Sequence, residues 1–238
     1  MASWAGGQPA QTVPSRLLEL RALAVGGDAD LRERARKRLA WELRRRTSLE
    51  VAPQASAVDP TDPRLFETPF VWWVGAGAFD PLPEEAVARL RRFLRLGGFL
   101  WIDATDPADE AFDASVRRLL RRVLPREPLR VLSSEHTVYH SFYLLDGPVG
   151  RVEGPEQAEG VLLGSRLAVL YDRHDVAGAL ESDALGSWLH AVVPGGAEQR
   201  ERAIRFAVNV LMYVTCLDYK DDQVHVPFLL RRLGGSGP

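Results

Sequence analysis

Apolar residues along this chain fall into two kinds of run, and their alternation predicts an α/β fold. Residues 17–25 (LLELRALAV), 70–75 (FVWWVG) and 99–103 (FLWID) are short and apolar with little polar alternation, the pattern of strands covered on both faces. The intervening runs have helical spacing. Residues 29–46 set Leu31, Ala35, Leu39 and Leu43 on one face, with Arg32, Arg36, Arg38, Arg44 and Arg45 elsewhere, and Asp28 and Asp30 at the start. After Pro81 and Pro83, Val87, Leu90, Phe93 and Leu94 face inward before Gly97-Gly98; residues 108–123 do the same with Phe112, Val116, Leu119 and Val123.

Strand, helix, strand, helix in that order implies parallel pairing with right-handed crossovers. The expected architecture is therefore a three-layer α/β sandwich, a mostly parallel central sheet with helices on both faces and residues 70–75 at its centre. A short strand is expected near residues 49–52. Beyond Pro125 the pattern changes to a strand at 129–132, the segment SSEHTVYHSFY, a hairpin over 161–171 turning at Gly164-Ser165, and a long apolar helix over 198–217. Residues 17–217 read as a single domain, residues 1–16 as a flexible tail, and residues 218–238 as a tail amphipathic enough to dock on the domain or on another subunit.

Composition narrows the partners more than it names them. At 238 residues and 46% hydrophobic the chain can bury one substantial core. A net charge of −2 provides no field to draw it onto nucleic acid or an anionic membrane. The arginine-rich helix faces read as solvated surface. No run approaches the roughly 20 apolar residues of a membrane span, and residues 1–16 lack the pattern of a secretory signal. The chain as given is expected in the cytoplasm, or in the periplasm if an export signal lies upstream. Cys216, the only cysteine, excludes an internal disulfide and a thiolate metal cluster, and its apolar helix suggests a buried thiol.

The segments RTSLEV, FVWWVGAG, LRRFLRLGGFLWIDATD, EHTVYHSFY, LAVLYDRHD and NVLMYVTC together resemble the bacterial domain-of-unknown-function family 4159. That family is similar in turn to class I glutamine amidotransferase-like, flavodoxin-like folds. In working amidotransferases a cysteine nucleophile sits on a tight turn after a central strand, and a histidine and an acid are presented to it. The resemblance puts the matching turn after residues 99–103, where the sequence reads Ala104-Thr105-Asp106-Pro107 and holds no cysteine.

Ligands of open parallel sheets bind beyond the carboxyl ends of the strands, which selects Gly75, Gly77, Asp103, Asp106, Asp172, His174 and Asp175. Asp103 and Asp106 could hold a divalent cation or act as acid and base; alternatively Asp106 caps a helix and Asp103 accepts backbone N–H groups. His136 and His140 would share a face on a helical turn but stand roughly 13 Å apart in a strand. Tyr139 could line the same pocket. No motif implies a cofactor. The leading expectation is a noncatalytic module that binds a small molecule or a protein; the alternative is a hydrolase using Asp103, Asp106, His136 and His140, with or without a metal. Self-association through the C-terminal tail is a third reading.

Overall fold

FVWWVG forms strand β2 (Phe70–Gly75) and FLWIDA forms β3 (Phe99–Ala104), every residue of both being buried. In the computed structural model, which describes residues 17–26, 31–54 and 56–233 and side chains as far as residue 216, the two strands pair in parallel from Phe70 opposite Phe99 to Gly75 opposite Ala104. Their side chains divide by parity. Phe70, Trp72, Val74, Phe99 and Trp101 enter one apolar cluster; Val71, Trp73, Leu100 and Ile102 enter a second on the other face. Trp72 and Trp101 stack with centroids 4.4 Å apart and planes within 2°, a contact worth roughly 0.5–1.5 kcal/mol beyond the area buried.

With β1 (Arg21–Ala22), β4 (Arg130–Val131), β5 (Glu159–Leu163) and β6 (Arg166–Asp172), the strands form one sheet in the order β1-β2-β3-β6-β5-β4. β1, β2, β3 and β6 run parallel, whereas β5 is antiparallel to both β6 and β4. The sheet is therefore mixed, and the expected hairpin supplies its antiparallel part, turning through Gly164 at φ 64°. The first apolar cluster takes residues from α1 (Glu33–Arg46), α4 (Val176–Leu180) and α5 (Gly196–Leu233). The second takes residues from α2 (Glu84–Arg95) and α3 (Glu110–Val123).

Several expectations change. β2 lies second from an edge, and β3 and β6 form the central pair. The apolar run 17–25 contributes a strand of two residues, extended by single bridges from Leu18 to Val51 and from Leu23 to Val58; the strand expected at 49–52 reduces to the first of these. The segment 133–143 contains one 3-10 turn, Thr137–Tyr139. Asn209 explains why it is held there: its amide donates to the carbonyls of Tyr139 and Tyr143 and its oxygen accepts from the N–H groups of Phe142 and Tyr143. Helix α5 starts at Gly196 and its backbone continues to Leu233 without a break at residue 217. The flexible tail 1–16, the helix-start acids Asp28 and Asp30, and the docking side chains of residues 218–238 lie outside the described residues.

Candidate functional site

The carboxyl ends of the central parallel strands bring Asp103 and Asp172 opposite each other in register. Both point to the face shared with α1, α4 and α5, and both are fully buried. Asp103 accepts the N–H groups of Val176 (3.0 Å) and Ala177 (2.7 Å) at the start of α4. Burial, and then the nearby Asp172 and Asp175 carboxylates, push its pKa well above the usual range, while the two backbone donors oppose that rise. Asp172 accepts the indole N–H of Trp101 at 2.5 Å and the His174 N–H at 3.2 Å.

A tight turn then reverses the chain from β6 into α4. Asp175 sits in it with left-handed backbone angles, φ 51° and ψ 56°, a conformation that a short polar side chain tolerates by local hydrogen bonding. Its Oδ1 accepts the Gly178 N–H at 3.0 Å, capping the helix, and its Oδ2 accepts from Arg32 at 2.9 Å and from Arg151. Gly178 is required, since a Cβ there would lie 2.2 Å from Asp175 Oδ2. Arg32 is itself left-handed at φ 59°. Thus the two non-glycine residues of positive φ among those described bind each other, the kind of clustering that over-determined sites show. Arg32 also contacts His190 and donates to Glu181, and His190 pairs with Glu181 at 2.8 Å.

Beside this network, His174 is 5% exposed and its Nδ1 lies 3.7 Å from Asp172 Oδ1 without a hydrogen-bond partner. Gly150 and Gly154 let the loop over residues 148–156 lie flat against it; a Cβ on Gly150 would fall 2.1 Å from the His174 carbonyl, and one on Gly154 would fall 2.9 Å from Nε2. His174 lines a cleft of about 650 Å³ with Glu153, Glu156, Glu198, Gln199 and Arg202.

Of the sequence-selected residues, Asp103, Asp172, His174 and Asp175 converge. The others do not. Asp106 is exposed and accepts the Ala108 N–H within its own turn; Asp109 caps α3 instead, and its other oxygen accepts the Gly77 N–H at 2.5 Å. Gly75 serves packing, because a Cβ there would meet the Phe112 ring at 2.3 Å. His136 lies toward the amino ends of the strands, its ring 5.8 Å from that of Tyr213, whose hydroxyl accepts the Leu167 N–H. Its Nδ1 accepts the Val138 N–H, and burial holds its pKa below the usual histidine value. His140 is exposed at the end of the same turn, and Tyr139 is buried with its hydroxyl accepting the Ala158 N–H. The cluster of Asp103, Asp106, His136 and His140 expected for the hydrolase reading is therefore not assembled. Among the described residues no group of three or more His, Cys, Asp or Glu is arranged to hold a metal ion. Cys216 is exposed, contrary to the buried thiol expected. The left-handed strand-to-helix turn follows β6, whereas β3 leads into the Asp106 loop.

Residues 17–215 match the family described as Domain of unknown function (DUF4159). The chain belongs to this family. Comparison with curated proteins gives no match. For this DUF4159 domain the residues missed from sequence are Arg32, Arg151, Glu181 and His190. Arg32 reads as one arginine among many on a helix expected to be solvated, and the other three have no spacing that announces a common destination. Among the described residues no helix is long and apolar enough to cross a membrane.

Proposed function

We propose that this DUF4159 domain is a noncatalytic ligand-binding module with the three-layer, flavodoxin-like plan of the amidotransferases, in which the turn after β3 holds no cysteine and the sharp turn after β6 is filled by an anchored carboxylate. One observation carries the reading. A nucleophile needs a sharp strand-to-helix turn that exposes its reactive atom, and the turn of that kind after β6 holds Asp175, whose side chain is 0% exposed and bound by two guanidiniums and a backbone N–H. A carboxylate so committed has no free lone pair aimed at solvent and no room for a substrate. What stays open is the adjoining cleft. Its three carboxylates, Glu153, Glu156 and Glu198, against the single guanidinium of Arg202 suit a small ligand carrying an amine.

Differential scanning fluorimetry with L-glutamine, L-lysine and putrescine tests this. An amine-bearing probe should raise the melting temperature of the wild type and leave Glu156→Gln and Glu198→Gln unmoved; no shift with any probe at about 10 mM would count against the binding reading. A second reading, a hydrolase, is favoured by the approach of His174 to Asp172 at the cleft wall, where an imidazole could serve as general base. Turnover in a glutaminase, esterase and phosphatase panel, lost in His174→Ala, would establish it in place of the first.

A further inference from the structure

Helix α5 presents two faces at its start. Glu198, Gln199 and Arg202 belong to the cleft beside His174. Ala197, Arg200, Glu201 and Ile204 line a separate pocket of about 460 Å³ with Arg38, Arg45, Arg46, Glu42 and Trp188. At about 100° per residue the mean directions of the two sets differ by roughly 160°, so the pockets open on different sides of the helix.

The second pocket has four guanidiniums in its lining and two carboxylates. Those carboxylates are already engaged. Glu42 is buried and accepts from Arg38 and Arg46; Glu201 accepts from Arg46 and Arg205. Arg200 has a different status: it is 8% exposed and donates to the carbonyls of Ala179 and His190, with no carboxylate partner among the described residues. The two carbonyl oxygens accept from only part of its five N–H groups and do not neutralise its charge, and a desolvated charge seeks a counter-ion. Arg200 and Arg38 also stack on one indole, 4.3 and 4.4 Å from the Trp188 centroid, so the uncompensated Arg200 and the Glu42-paired Arg38 are held against one ring. The exposed Arg45 stands at the rim over Trp41. Planar guanidiniums held by stacking are pre-organised to bind an oxyanion, and the positive end of α5 adds to the attraction.

We propose that this pocket binds a small oxyanion, a phosphoryl or carboxylate group, between Arg200, Arg38 and Arg45. The volume suits a metabolite-sized ligand, and the site is independent of the cleft beside His174.

Isothermal titration of the full chain at low salt, with inorganic pyrophosphate and citrate as probes, tests the proposal. Saturable one-to-one binding of either supports it, and the tighter probe identifies a phosphoryl or a carboxylate source. Arg45→Gln should weaken binding severalfold and Arg38→Gln about tenfold or more. Glu201→Gln, which removes a lining carboxylate, should tighten it. Arg45 lies on the surface, so its variant keeps the test decisive if Arg38→Gln fails to fold. Absence of saturable binding to either probe up to about 10 mM, or binding that Arg45→Gln, Arg38→Gln and Glu201→Gln all leave unchanged, overturns the proposal.

Discussion

Removing the Asp175 carboxylate breaks three contacts at once, and their costs can be separated. The side chain caps α4 through the Gly178 N–H, worth about 1 kcal/mol. It neutralises Arg151 and, together with Glu181, Arg32, whose side chains are only 26% and 14% exposed. Stranding partly buried partners of a buried ion costs about 3 kcal/mol, the lower end of the usual range because both guanidiniums keep some water. The left-handed backbone adds roughly 1 kcal/mol for a residue such as alanine that lacks a local hydrogen bond. Asp175→Ala should therefore lose about 5 kcal/mol, whereas Asp175→Asn, which keeps the cap and tolerates the backbone, should lose about 3 kcal/mol. Urea unfolding followed by fluorescence of the buried Trp72, Trp73 and Trp101 reads these differences. With a slope of about 3 kcal/mol/M, the midpoints should fall by about 1.7 M for alanine and about 1 M for asparagine. Equal midpoints for the two variants would refute the separation of cap and charge. A midpoint for Asp175→Asn within about 0.2 M of the wild type would refute the claim that the ion network stabilises the turn.

Three other outcomes follow from the same structure. Trp101→Phe leaves the buried Asp172 without its indole donor and should cost about 2–3 kcal/mol in urea unfolding. Asn209→Ala removes all four bonds that hold the segment around Tyr139 and Tyr143; hydrogen exchange should show lost protection at Phe142 and Tyr143, with a stability loss of about 3 kcal/mol. Hydrogen bonding to Arg46 draws the Glu201 carboxyl down from 4.5 to about 2. A depressed acid contributes stability above its unfolded pKa and loses it as the pH falls toward the folded value, so the wild type should weaken between about pH 4.5 and 2 by more than Glu201→Gln does in a thermal melt across that range.

Much of the scaffold is legible in sequence because it rests on local periodicity. β2 and β3 announce themselves as apolar runs without alternation, α2 and α3 as stripes of apolar residues, and the β5–β6 hairpin by its glycine turn. The candidate site is legible only in part. Asp103, Asp172, His174 and Asp175 can be selected because they end strands, a rule that needs only the fold class. Gly75, Gly77 and Asp106 satisfy the same rule and serve packing and turns, since strand-end position does not say which face a residue joins. Arg32 meets Asp175 across 143 residues of sequence, and the left-handed backbone that aims them at each other comes from tertiary structure rather than residue preference. His136 and His140 mislead for a related reason: Asn209, a single polar residue on a distant helix, decides the conformation of their segment.

The borders of the sheet have a consequence for the molecule in a crowd. Each edge strand, β1 and β4, is two residues long, and bridges to Val51 and Val58 flank the first of them. A foreign strand needs a long row of vacant amides to add itself, and these edges offer little of one. A six-stranded sheet with an aromatic-rich interior is thereby kept from serving as a template for fibrous aggregation.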